Sequence, residues 1–535
     1  MEAEFHEARL DHPATRPTTG PSNDATAGTT TGTTTGTTTG LTTDAGAVPH
    51  LRTVLAGALL AMLLAALDSN IVNTALPRMA ADLGGLSHLS WVVTAFMLTS
   101  TVTTPLFGKL SDQFGRRLLF FVAIGIFLLG SVMCGAAGSM GQMIAFRAVQ
   151  GLGAGGLVVL AIAAIGDVVP PRERPRYQGL FTGVWALGSV AGPLLGGLIT
   201  SALSWRWVFY VNLPVGAAAL LMIASGLRAP APSARRRSVD GGGAMLLTGA
   251  TTGLLLWLAW AGTEFAWASA ASLLLLAATL LLAAGFAWWE LRAPEPLVRL
   301  ALFRNKVYAR SVGVSGMMVF AMLGSTVFLP LYFQLVLGMN PASAGAMMLP
   351  QVAGMVLTSV LGGRLIARLG RIRRFILLGI GLEAVGLIAL AAFAWAAAGV
   401  PAFLLAMAAL GLGMGMGMPN LTTAVQNAVS HAELGAATGA MTFTRSLGGA
   451  VGVAVSGAIM SAGLRAAGAT GVLDVGALGD NAGRALASLS PDQVAGVSAA
   501  YRTALTGSFA LSAVVMAAAF VAVLGLPEQR LRSKL

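Results

Sequence analysis

The chain has 535 residues, 56% hydrophobic and 10% charged, with mean hydropathy +0.77; this balance excludes a soluble globular domain and places the chain in lipid. A formal net charge of +12 would fit a nucleic-acid partner in a soluble protein, but the basic residues lie in short clusters between apolar runs, so they read as topology signals and no nucleic acid is expected. The single cysteine, Cys134, excludes an internal disulfide and a cysteine-built metal site.

Residues 1–50 start with Glu2 and Glu4 and then repeat Thr-Thr-Thr-Gly between Thr29 and Gly40. They hold no apolar run, which predicts a disordered cytoplasmic tail. A bilayer requires about 20 apolar residues per helix. On that measure the remaining chain divides into spans near 54–76, 90–107, 118–138, 142–168, 178–200, 206–226, 242–262, 267–289, 311–333, 343–364, 375–398, 401–428, 436–463 and 503–526. This predicts an all-α membrane protein of fourteen transmembrane helices. Residues 51–227 form an N-terminal six-helix bundle, 228–299 a linker with two extra spans, 300–528 a C-terminal six-helix bundle and 529–535 a short cytoplasmic tail. If both termini are cytoplasmic, the inner loops collect Lys109, Arg116, Arg117, Arg172, Arg174 and Arg176, then Arg235 to Arg237, and in the second half Arg364, Arg368, Arg371, Arg373 and Arg374. The outer loops keep only Arg78, Arg206, Arg465, Arg484 and Arg502. The positive-inside rule sets this orientation.

Two regions repeat at a constant offset of 260 residues. Gly151, Gly153 and Gly155 meet Gly411, Gly413 and Gly415, and Gly188, Gly192 and Gly197 meet Gly448, Gly452 and Gly457. Such a register points to two bundles related by duplication.

Four segments carry the chemistry. In the loop after the second span, GKLSDQFGRR from Gly108 to Arg117, Gly108 and Gly115 permit a tight turn, while Asp112, Arg116 and Arg117 can form a charge-assisted latch. The second half has Ala367 where Asp112 stands. The fourth span opens with Arg147, Gln150 and a glycine run, and an arginine in an apolar helix usually faces the bundle interior with a partner. In the fifth, Gly188, Gly192 and Gly196 recur every four residues beside Pro193 and Gly197, which predicts close packing and a bend. The first span carries Asp68, Asn70 and Asn73 before Pro77, and Trp205 to Gly216 opens the sixth.

Together these segments resemble the major facilitator superfamily, and in particular its fourteen-span drug:proton antiporters of the EmrB/QacA type. The resemblance implies a major facilitator fold and a secondary active transporter that exports lipophilic drugs or toxic compounds in exchange for protons by alternating access. It implies gating roles for the loop and fifth-span motifs. The proton gradient would be the energy source, with no cofactor and no metal.

Asp68, Arg147, Glu383 and Arg445 are the ionisable residues well inside predicted spans. Counting 1.5 Å per residue puts Asp68 roughly 12 Å and Arg147 roughly 8 to 9 Å below the outer ends of their helices. At that shared depth they are the expected proton-coupling pair, because burial raises a carboxylate's proton affinity and a nearby arginine lowers it. Glu383 and Arg445 also share a depth, which allows a second pair. Asp167, at the inner end of the fourth span, is expected to latch to Arg116 or Arg117. Asn70, Asn73, Gln150, Asn420 and Gln426, with Glu383 and Arg445, are candidates for a substrate cavity walled by methionines such as Met317 and Met318. The expected partners are small lipophilic substrates, protons and the bilayer, with the chain a monomer. Few lysines against many arginines, with abundant alanine and glycine, hint at a GC-rich bacterial genome, hence an inner (plasma) membrane with both termini cytoplasmic. Export of one dedicated metabolite or lipid, or a non-transporting scaffold or sensor, remain alternatives. An enzyme is not expected, since no nucleophile elbow, metal cluster or phosphate loop appears.

Overall fold

Fourteen helices among the described residues are long and apolar enough to cross a membrane. In chain order they are α1 (Leu51–Leu83), α2 (Trp91–Phe114), α3 (Arg116–Gly135), α4 (Met140–Val168), α5 (Arg174–Ala202), α6 (Trp207–Gly226) and α7 (Gly241–Trp260), then α8 (Ala270–Glu290), α9 (Lys306–Leu335), α10 (Ser343–Ile366), α11 (Arg373–Trp395), α12 (Val400–Ala428), α13 (His431–Ala466) and α14 (Asp492–Leu524). The computed structural model describes residues 51–84, 88–227, 240–262, 264–466 and 490–528. The tails expected at 1–50 and 529–535, and the basic cluster Arg235 to Arg237, lie outside the described residues. No strand occurs among the described residues, only an isolated bridge between Ala261 and Phe265.

Packing follows the duplication pair for pair. α1 packs on α4, α5 and α6 as α9 packs on α12, α13 and α14, and α2 and α3 flank α4 as α10 and α11 flank α12. Close approach by small residues drives such contacts, because lipid tails are as apolar as leucine and supply no hydrophobic gain between helices. Gly151 and Gly155 of α4 lie on Phe96 and Ser100 of α2, and their repeats Gly411 and Gly415 lie on Gln351 and Met355 of α10. Similarly Gly153 packs on Ala123 and Phe127 of α3, and Gly413 on Gly379 and Glu383 of α11. The stripe on α5 does what its spacing predicts: Gly188 sits over Ala66, Gly192 over Asn70 and Gly196 over Ile71 and Thr74 of α1. Gly197 faces open space, so it takes no part in that seam.

The α7–α8 hairpin touches α2 and α13, one helix from each bundle. The bundles meet through α2 against α13 and α5 against α10. Gly108 abuts Gly435 and Gly439 on one seam, and Gly363 abuts Pro175 and Arg176 on the other. These contacts lie at the molecular end that carries the arginine clusters.

Candidate functional site: a buried carboxylate network and a latch between bundles

Asp68, midway along α1, is fully buried, and each of its carboxylate oxygens is occupied. Arg147 Nη1 donates to Oδ2 at 2.7 Å, while Gln150 Nε2 and Asn212 Nδ2 donate to Oδ1 at 2.8 and 2.9 Å. Gln150 in turn accepts from Arg147 at 2.6 Å and, with Asn212, donates to Ser131 Oγ at 2.8 and 3.2 Å. The guanidinium of Arg147 also donates from Nε to the Val92 carbonyl and lies 4.0 Å from the centroid of the Phe96 ring. None of the five polar side chains is more than 2% exposed. A buried ion pair persists only when its remaining hydrogen-bond capacity is filled, and here α2, α4 and α6 supply the partners.

Depth along the helices brought Asp68 and Arg147 together as expected; Gln150 joins them in this network and does not line an open cavity. Ser131 was missed, and Asn212 stood only within the Trp205 to Gly216 segment, with no role at the site. Asn212 had a signal, being an amide within the apolar start of α6, whereas a serine in a membrane helix usually bonds its own backbone and gives none.

The C-terminal bundle has no such network at the corresponding places. By the register of the repeats, Arg147 and Gln150 correspond to Met407 and Leu410, and Asp68, by the packing of α1 on α5, corresponds to Met318. All three are buried apolar side chains. The duplicated scaffold therefore holds its ionic centre in the first half alone.

The latch lies at the arginine-rich end. Gly115, with φ of 89°, turns the chain between α2 and α3 in a conformation open to glycine but strained for other residues. This brings Arg116 back beside Asp112, Nη2 to Oδ1 at 2.6 Å, and onto Asp167 of α4, Nε to Oδ2 at 2.8 Å. Arg116 also donates to Ser111 Oγ. Arg117 takes no part. Asp112 continues across the seam and accepts from the backbone N–H groups of Gly435 and Ala436 at 2.8 and 2.7 Å. It thereby caps the start of α13, where unpaired amides and the helix dipole favour an anion.

Other ties between the bundles lie in the same half of the molecule. Gln426 Nε2 reaches the Ile162 carbonyl at 3.1 Å, the hydroxyls of Ser359 and Thr182 meet at 3.0 Å, and Arg172 donates to the Arg368 carbonyl at 3.1 Å. Gln426 is thus a bundle-to-bundle contact and not a cavity residue. Pro419 withholds the helix hydrogen bond owed to the Gly415 carbonyl, and Ser359 Oγ supplies one at 3.1 Å.

The remaining candidates separate. Asn70 and Asn73 donate to carbonyls one turn back, of Ala66 and Ser69. Asn420 is buried and donates to Met416. Glu383 and Arg445 do not pair: Glu383 is fully buried at the α11–α12 seam with neither carboxyl oxygen bonded, whereas Arg445 donates to the Met418 carbonyl and Thr422 Oγ1, both at 3.0 Å. Shared depth failed here because α11 packs on α12 and α14 whereas α13 packs mainly on α9, α2 and α14, so the two helices are not close neighbours.

Comparison with known proteins agrees with this architecture. The Multidrug transporter protein MdtP of Bacillus subtilis (strain 168) is 38% identical over 412 residues, covering 77% of this chain and 76% of that protein. An uncharacterized MFS-type transporter of Mycobacterium tuberculosis (strain ATCC 25618 / H37Rv) is 35% identical over 492 residues, covering 90% of this chain and 70% of that protein. Among solved structures, the MFS proton:xylose symporter XylE superposes with a TM-score of 0.58 at 15% identity, covering 90% of this chain and 96% of that one, a likeness of fold alone. The family model of the Major Facilitator Superfamily matches residues 58–453, and the chain belongs to that superfamily as a multi-pass membrane transporter and not an enzyme.

Proposed function

We propose that this protein exports lipophilic compounds in exchange for protons by alternating access, with Asp68 as the proton-coupling carboxylate. The observation that carries the reading is the sealed network of Asp68, Arg147, Gln150 and Asn212. A carboxylate with an arginine and two amides on it, in a fully buried site, is a two-state element. Ionised, it holds α1, α4 and α6 together; protonated, it loses its charge attraction to Arg147 and releases that hold. Similarity to a protein named as a multidrug transporter supports an exporter of varied substrates, and the half-buried methionines Met317, Met416 and Met418 offer deformable apolar contact to such guests.

The positive-inside rule assigns the arginine-rich end to the cytoplasm. On that orientation the ties through Asp112, Gln426 and Ser359 close the cytoplasmic side. Each entering proton is driven by about 2.3 kcal/mol per 100 mV of membrane potential. Breaking a buried ion pair costs roughly 3–5 kcal/mol, so potential and pH gradient together are of the right size to drive the switch. The test is efflux measured in everted vesicles under an imposed pH gradient, across a panel of acidic, neutral and cationic lipophilic compounds. Absence of gradient-dependent movement for every compound would overturn the reading.

A further inference from the structure

Arg445 is a permanent cation whose partners are all neutral. It lies eleven residues beyond Leu434, roughly 17 Å along α13, which puts it near the middle of a hydrocarbon core of about 30 Å. Nη2 is held by the Met418 carbonyl and Thr422 Oγ1 of α12, and Nε is buried with no acceptor. The other interior charges leave it uncompensated: Asp68 and Arg147 satisfy each other, and Glu383 is sealed elsewhere in the bundle.

Its surroundings are open on one side. α9 lies between α12 and α13: Thr444, next to Arg445, packs on Gly316, while Gly417 packs on Met318. α12, α13 and α14 occupy the other sides of α9, which leaves one face without a closely packed helix. On that helix Gly313 has open space where a side chain would stand, and Met317, one turn further on, is half-buried. Residues 434–441 of α13 are buried, but 442–448 are only half-buried. The tightly packed seam therefore loosens at the level of Arg445.

A guanidinium at mid-membrane, held through Nη2 alone and lacking an acceptor on Nε, repels lipophilic cations and attracts an oxyanion with the donors it has left. The geometry points to Arg445 as the binding site for an anionic oxygen group, carboxylate, phenolate or phosphate, on an otherwise lipophilic substrate. This deepens the exporter reading and rests on it.

The experiment uses the full chain in nanodiscs and three probes of matched shape: naphthoate, its methyl ester and naphthylmethylammonium, with binding followed by calorimetry. The wild type is expected to bind naphthoate about tenfold or more tightly than the ammonium. Arg445→Leu should abolish that preference while leaving the melting temperature unchanged, and Arg445→Lys should restore part of it. Equal affinities in the wild type, no binding of any probe, or a preference that survives Arg445→Leu overturns the proposal. Repeating the titration in phosphatidylglycerol nanodiscs identifies the source of the anion: unchanged affinity assigns the site to a soluble acid, and competition assigns it to a lipid headgroup. Efflux by the same proteins keeps the two readings apart. Export of cations and acids alike by both wild type and Arg445→Leu refutes only the anion site, whereas export of nothing by the wild type refutes the exporter reading itself.

Discussion

Asp112 and Gly435 meet across the two bundles, the carboxylate of one accepting the backbone N–H of the other at 2.8 Å. One side chain from the end of α2 thus satisfies amides that α13 cannot satisfy itself, and the contact ties the two bundles at the arginine-rich end. Its counterpart on the other seam has alanine, Ala367, at the corresponding position, so the two seams are tied unequally.

Asp112→Ala is expected to loosen that closure. A hydrogen bond to a charged acceptor is worth about 1.5–3 kcal/mol, so the ratio of closed to open forms should fall by tenfold or more. Labelling of a Thr182→Cys variant by a membrane-impermeant thiol reagent, added from the arginine-rich side, measures this; Cys134 is buried and contributes little background. Equal labelling with and without Asp112 would sink the latch.

Asp68→Asn is expected to abolish gradient-driven export while the protein still inserts and folds. The amide is nearly isosteric and keeps hydrogen bonding but cannot cycle a proton. Arg147→Ala should be harsher, destabilising by roughly 3–5 kcal/mol because a carboxylate is left buried with its cation gone. Vesicle efflux with a size-exclusion profile reads both. Wild-type pumping by Asp68→Asn would place the proton site elsewhere.

Gly192→Leu and Gly197→Leu should behave oppositely. A side chain at Gly192 would meet Asn70 Cβ at 2.6 Å, an atom tied to the backbone that cannot swing aside, so α5 must shift from α1 at a cost of about 1–3 kcal/mol. At Gly197 nothing stands within 4 Å. Melting temperature and efflux should fall for the first and hold for the second; equal behaviour would show that the α1–α5 seam does not depend on close approach.

Glu383→Met is expected to stabilise the protein and leave export intact. Both carboxyl oxygens are buried without partners, an arrangement that costs about 1–3 kcal/mol per unsatisfied group, and the corresponding residue of the first bundle is Phe127. A rise in melting temperature of the purified protein with unchanged efflux is the expected result. Lost export with retained folding would instead make Glu383 a working acid.

Span number, the bias of basic residues to one end and the internal repeat were all legible in the sequence. The bilayer imposes a length of apolar chain on each helix, charge is costly within it, and duplicated glycines keep their register. Depth along a helix is also a linear quantity, which is why counting residues was enough to bring Asp68 to Arg147. Azimuth is not linear, and only the tertiary structure set it. Glu383 and Arg445 share a depth yet stand on helices that pack on different neighbours, Ser131 and Asn212 join the Asp68 network from two further helices, and Gln426 crosses to Ile162 instead of lining a cavity. Asp112, whose motif suggested only a turn with its own arginines, finds its further partners at Gly435 and Ala436. Those contacts depend on which faces of helices hundreds of residues apart are pressed together, and packing between them decides that.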